Sequence, residues 1–336
     1  MPDAQPSRVV LLPGTPIRRH DHALPLRVGT RGSPLAVRQT DMFMARLAQF
    51  CPVLRLEDVF RQEIIRTTGD RVQDRSLAEI GGKGLFAKEI HEALAMGRVD
   101  FAVHSLKDLE TTLPPGIVLA CTLQREDARD AMVLGPHCLV PDPADPFEAL
   151  PPGAVIGTNS MRRQAQLLHA RPDLRMVLLR GNVGPRIEKV RRGDCSATLL
   201  ALAGLRRLGL ESAVGVVLDP DSMVPAAGQG IVGITARETD EDLRELLALI
   251  EDPAARAVST AERAILAALD GSCRTPIGGH ARLLGDGRLH LTGLVARPDG
   301  SFLLKRSVHG AREDAARLGA ELGASLRADS PPDIFG

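Results

Sequence analysis

The stretch "LRVGTRGSPLAVRQTDMFMARLAQF", Leu26 to Phe50, reads as strand, turn and helix in immediate succession. "LRVGT" has the pattern of a short buried strand. Ser33 is placed to cap a helix, and Pro34 suits the first helical position, where no backbone donor is needed. The same style continues with a strand at "EIIRT", a glycine-bearing polar loop "TTGDRVQDRSLAEIGGKG" of lid-like length, a helix "LFAKEIHEALAMG", and strands "VDFAVHS" and "GIVLACTL". After the proline-rich "PDPADPFEALPPG" a second unit reads as strand "AVIGT", a helix from Ser160, strand "RMVLLRG", helix "PRIEKVRR" and strand "ATLLAL". Such alternation predicts α/β sheets with mostly parallel strands, whose ligands collect at the strand carboxyl ends. The C-terminal third differs. Two Asp-Gly turns separate alternating strands in "RLLGDGRLHLTGLVARPDGSFLLKRSVHG", and "AREDAARLGAELGASLR" can cover one face, which predicts a small α+β unit.

Composition narrows the function. A chain of 336 residues implies two or three domains at roughly 100–200 residues each. Lys+Arg and Asp+Glu balance at 42 each, so no overall field draws the chain to nucleic acid or to an anionic membrane. With no Trp, no Tyr and 8 Phe, it lacks the stacking surface of a single-strand nucleic-acid binder. Its five cysteines are scattered without a C-x-x-C pair, which suggests neither a disulfide framework nor a zinc site. The apolar run "VVLL" near the N-terminus is too short for a signal-peptide core, and no stretch approaches membrane-spanning length. A reducing cytoplasm and a disordered tail over residues 1–23 are the expectation.

The cations have a pattern. Arg31, Lys83, Lys107, Arg162, Arg163, Arg180 and Arg186 all fall at loops or strand-to-helix junctions. A cation at a helix start opposes the macrodipole unless an anion answers it. "GTNSMRR" is the strongest case, with Thr158 and Ser160 as hydroxyls beside two arginines whose forks suit carboxylate or phosphate. The implied ligand is polyanionic and lies between two α/β domains. No Walker A or G-x-G-x-x-G sequence points to a nucleotide. "AVHSLKDLE" ends a strand with His104, Ser105, Lys107 and Asp108, and a carboxylate emerging there can guide a proton or steady a developing cation. A strand-end histidine such as His104 reads more simply as a hydrogen-bonded structural residue.

Eight motifs then occur in order: "TRGSPLA", "TTGD", "GGKGLFAKE", "AVHSLKD", "GTNSMRRQAQL", "RGNVGPRIEK", "PAAGQG" and "ERAILAALDGSCRTPIGGHA". With them the chain resembles the porphobilinogen deaminases, or hydroxymethylbilane synthases, from about Leu26 onward. The resemblance implies two domains of type II periplasmic-binding-protein topology plus a C-terminal α+β domain with a three-stranded antiparallel sheet. It divides the chain into residues 24–124 with 231–248, residues 125–230, and residues 249–330. It implies a transferase that condenses porphobilinogen stepwise, with loss of ammonia, onto a dipyrromethane held by a thioether on Cys273, and then releases the linear tetrapyrrole by hydrolysis. A thiolate suits that attachment because it is a strong carbon nucleophile. Gly271, Ser272, Gly278 and Gly279 leave room for the pyrroles, and the other four cysteines read as small buried hydrophobes.

By the same resemblance Asp108 is the carboxylate that steadies the cationic stages. Arg31, Lys83, Lys107, Arg162, Arg163, Arg180 and Arg186 hold the acidic arms of cofactor and substrate, and Ser33, Ser105, Thr158, Ser160 and Gln229 are polar supports. The family suggests a monomer, and the composition above leads to the expectation of a cytoplasmic protein with no metal, no nucleic acid and no membrane partner. An anion-binding solute receptor of the same two-domain topology is the alternative, though a receptor needs neither Asp108 nor a loop thiol. Three positions depart from the family pattern: Ser196 where Asp is usual, Glu110 where proline is common, and Pro185 where Thr often stands. The first puts a polar role there in doubt, the second could loosen the strand end, and the third removes a hydroxyl and a backbone donor.

Overall fold

The computed structural model describes residues 23–56, 58–72, 84–269 and 275–335. The tail, Lys83, most of the lid-like loop, and Gly271, Ser272 and Cys273 lie outside these residues. Strand β1 (Leu26–Thr30) runs into helix α1 (Pro34–Phe50), with Ser33 Oγ accepting from Ala36 N at the cap. The helix buries Ala36, Thr40, Phe43 and Leu47, a stripe at three- and four-residue spacing. Then come β2 (Phe60–Ile64), the single-turn α2 (Thr68–Arg71), α3 (Lys88–Ala95), β3 (Phe101–Ser105) and β4 (Ile117–Thr122).

The second group is β5 (Asp130–Leu134), β6 (Val155–Thr158), α4 (Met161–Ala170), β7 (Arg175–Leu178), α5 (Val183–Arg191), β8 (Ala197–Ala201), α6 (Leu202–Arg207) and the two-residue β9 (Val216–Val217). The chain returns through β10 (Val232–Arg237) and α7 (Glu241–Ala248). Helix α8 (Pro253–Leu269), strands β11 (Ile277–Leu283), β12 (Leu289–Ala296) and β13 (Leu303–Gly310), and helix α9 (Ala315–Ala328) complete it.

One topology is used twice. The first sheet has the order β2-β1-β3-β10-β4, and the second β7-β6-β8-β5-β9. In each, three neighbouring strands are parallel and the fourth is antiparallel to both its neighbours, so four of five strands run the same way. The reversed strand of the first sheet, β10, follows the whole second group in the chain, whereas that of the second sheet, β5, opens its own group. This is an α/β architecture with two mixed sheets of equivalent strand order, and the third sheet, β11-β12-β13, is antiparallel throughout. Both Asp-Gly turns are present, with Gly287 and Gly300 at φ of 81° and 75°.

Strand β2 lies three residues earlier than the "EIIRT" reading. Its register with β1, Leu26↔Phe60 to Thr30↔Ile64, ends it where its partner ends. Helices α8 and α9 cover one face of the third sheet, and a Cβ on Gly319 would lie 2.2 Å from Ala261 O. The helices approach that closely only because the residue is glycine. The same cluster takes in Leu106 and Leu109, so the turn after β3 rests on the apolar face of α8.

Candidate active site

That turn aims the acid. Leu106 and Leu109 are buried in the shared core, Leu109 N donates to Leu106 O at 3.1 Å, and Lys107 and Asp108 between them face outward. Two leucines at such positions contribute about 1.5–3 kcal/mol each on burial, ample to hold a short turn. Asp108 keeps 34% of its side chain exposed, with Arg31 Nη1 at 3.7 Å from Oδ2. Arg31, Ser33, Gln39, Phe86, Ser105 and Asp108 line one cavity at the carboxyl ends of β1 and β3. The carboxylate of Asp70 binds the Arg31 guanidinium through Nε and Nη2, and the Phe86 ring lies 4.1 Å from it. Ser105 exchanges hydrogen bonds with the Gln39 amide at 3.0 and 3.1 Å.

His104 is buried behind the cavity, with Nε2 3.0 Å from Thr235 Oγ1. Burial first, then the charges of His91 and Arg31, push its pKa down to about 3. The imidazole is neutral at physiological pH and serves as a structural partner. Glu110, in place of a proline, does not leave the strand end loose. Its Oε1 lies 3.1 Å from His91 Nδ1, and its carbonyl accepts from Arg263 Nη2 at 2.7 Å.

The second sheet is built on a different acid. Ser160 Oγ accepts from Arg163 N to cap α4, and Thr158 Oγ1 accepts from Ser160 N. Arg162 and Arg163, in the first turn of α4, are each only 6% exposed. Arg162 Nη2 reaches Asp130 Oδ2 at 2.8 Å, and Arg163 Nη2 reaches Asp130 Oδ1 at 2.7 Å. The anion that answers these helix-start cations is therefore a carboxylate of the chain itself. Their remaining bonds go to the carbonyls of Val224 and Leu199. Asp130 is fully buried, which alone would raise its pKa, but Arg162, Arg163 and Lys107 hold it well below the usual carboxylate range. Gln229, also fully buried, donates Nε2 to Asp130 Oδ1 at 2.8 Å and accepts from Lys107 Nζ at 3.1 Å.

Lys107 keeps its contact with water although protein surrounds it. Burial first, then Arg163, push its pKa down to about 8. Arg186 is half-buried and donates to Thr198 Oγ1 and Leu199 O. Burial and Arg163 lower its pKa to about 10, and no acid pairs with it among the described residues. Its Nε is buried without an acceptor, as is that of Arg163. Guanidinium donors of this kind suit carboxylate acceptors. Arg180 Nη2 donates across to Gly69 O at 3.2 Å.

Sequence reasoning missed Asp70, Asp130 and Gln39; Asp70 stood in the quoted "TTGD", and the other two carry no local signal. Of the three departures, Ser196 Oγ accepts from Val155 N at 3.1 Å inside the second sheet. Pro185 falls in the first turn of α5, where a missing N–H costs no helical bond. Of the four cysteines expected to be buried, Cys121 and Cys195 are, whereas Cys51 and Cys138 remain partly exposed; burial pushes the Cys121 thiol up to about 12.

Two family models match the chain: "Porphobilinogen deaminase, dipyromethane cofactor binding domain" over residues 26–245, and "Porphobilinogen deaminase, C-terminal domain" over residues 257–328. The porphobilinogen deaminase of Paracoccus denitrificans is 47% identical over 311 residues, covering 93% of this chain and 96% of that one. That of Nitrobacter winogradskyi is 48% identical over 308 residues, covering 92% and 94%. The chloroplastic protein of the same name from Oryza sativa is 43% identical over 312 residues, covering 92% and 85%. Among solved structures, a periplasmic binding protein of Salmonella typhimurium with high arginine specificity matches 70% of this chain and 94% of its own length. Its identity is 14% and its TM-score 0.37, too low to bear on function.

Proposed function

The chain belongs to the porphobilinogen deaminase family, and from that premise we propose how its own residues divide the work. The reaction is a transfer: porphobilinogen is condensed head to tail with loss of ammonia, and the linear tetrapyrrole hydroxymethylbilane leaves by hydrolysis. The dipyrromethane cofactor, when bound, would supply the free pyrrole carbon to which the first unit is joined, and each later unit is joined to the free carbon of the unit before it. A receptor of the same topology has only the fold in common with this chain.

In this reading Asp108 is the acid of the reaction. An ionised carboxylate only accepts hydrogen bonds, so it can take the pyrrole N–H groups and offset the positive charge that develops on a porphobilinogen unit as ammonia departs. Arg31 beside it is tethered by Asp70, which keeps the guanidinium available to an acidic arm without letting it collapse onto Asp108. Ser33 and Ser105 add hydroxyls to the same cavity. Lys107, Arg180 and Arg186, with Lys83 from outside the described residues, receive the acetate and propionate arms. Arg162, Arg163 and Gln229 form the wall behind them, and Thr158 and Ser160 set the start of α4. Cys273 carries the thioether.

The observation that carries this reading is one half-exposed carboxylate at a strand end, flanked by cations on both sides. We further propose three units over residues 24–124 with 231–248, 125–230 and 249–330, and a monomer working in the cytoplasm. No described helix is long and apolar enough to cross a membrane. The direct test is to supply porphobilinogen to the purified chain. Ammonia should be released, and acid followed by oxidation should give coloured uroporphyrin; neither product would appear if the chain only bound the substrate.

A further inference from the structure

Asp130 does not face the cavity, yet four of the candidate binding residues converge on it. Arg162, Arg163 and Gln229 bond its two oxygens directly, and Lys107 reaches it through Gln229. The link crosses from the second sheet to the first, because Asp130 opens β5 while Lys107 follows β3. Gln229 is held in turn by its backbone. It sits between Gly228 and Gly230, at φ of 75° and 88°, and a Cβ on Gly230 would lie 2.3 Å from Glu126 O. Gly228 N donates to the buried Glu262, and Gln229 O accepts from Arg125 Nε. No side chain other than glycine fits either flank, so the amide has little freedom.

The charges decide what this arrangement does. Arg162 and Arg163 share one buried acid and Lys107 reaches it through Gln229, so these four charged groups together carry a surplus of two positive charges. Without an acid the guanidiniums could not remain buried. With one acid for each of them, nothing would be left for a ligand.

We propose that Asp130 is a positioning residue for substrate capture: it locks Arg162 and Arg163 into a rigid positive wall and, through Gln229, fixes in front of it Lys107, which receives the acidic arms of the growing chain. This rests on the reading of the cleft given above. Asp130 touches no substrate, so its loss acts on binding before chemistry.

The test uses the full chain with Asp130→Asn. A folded variant should show KM for porphobilinogen raised about 10-fold, with kcat within about 3-fold of the parent. The fraction of purified protein carrying a two-pyrrole mass should also fall. A folded Asp130→Asn protein with KM within about 2-fold of the parent would overturn the proposal. If that variant does not fold, Gln229→Met decides. It cuts the Lys107 link and keeps both arginine pairs, so a KM raised about 3-fold at unchanged melting temperature supports the proposal, and an unchanged KM overturns it. Arg162→Ala separates the two levels. If it leaves KM unchanged, the reading of the cleft fails; if it raises KM while Asp130→Asn does not, only the positioning role fails.

Discussion

The two five-stranded sheets share one strand order but use their central acids in opposite ways. Asp108, beyond β3, keeps a third of its side chain in water and has one guanidinium at 3.7 Å. Asp130, opening β5, is wholly buried and clamped by two arginines at 2.7 and 2.8 Å. An acid that must answer a charge appearing during a reaction needs capacity left over. An acid that must hold cations in place spends all of it. The contrast separates scaffold from chemistry more sharply than residue type does.

Removing the exposed acid tests that contrast with the largest effect. Asp108→Asn should lower turnover by about 100-fold or more while the melting temperature and the cofactor mass stay at parent values. Near-parental turnover would place the chemistry elsewhere.

A smaller effect sharpens the account of Lys107. Its lowered pKa means that the charge is present below about 8 and is lost as pH rises through that value. The ratio kcat/KM should therefore fall several-fold above that pH, since it reports the free protein. Lys107→Arg, which stays charged, should remove the fall, and an identical profile in both proteins would show that another group titrates. The smallest effect concerns Ser160, whose visible work is to cap α4. Ser160→Ala should cost about 1 kcal/mol in chemical denaturation. A loss of turnover far beyond that cost would give the hydroxyl a second role.

Much of this was legible in the residues. Ser33 and Ser160 announced their helices through cap chemistry, and Asp108 stood at a strand end where ligands gather. Strands β5 and β10 were harder to read. "DAMVL" and "VGITAR" are short apolar runs, and nothing local says that each runs against the other strands of its sheet. Asp130 was invisible for a related reason. An acid at the first position of an apolar strand looks like any other, and its partners lie 32, 33 and 99 residues away. Arg162 and Arg163 read as open forks because a guanidinium has the same shape whether its acceptor is a ligand or the chain's own carboxylate. Length and periodicity cannot distinguish these; only the folded geometry does.

All of this presupposes an acidic oligopyrrole bonded through sulfur in front of that cationic wall. Intact-mass measurement of the freshly purified protein beside Cys273→Ser tests it most directly. Parent protein heavier by two pyrrole units, with the serine variant at its bare sequence mass and inactive, is the predicted result. A parent protein at bare mass and full activity would contradict it.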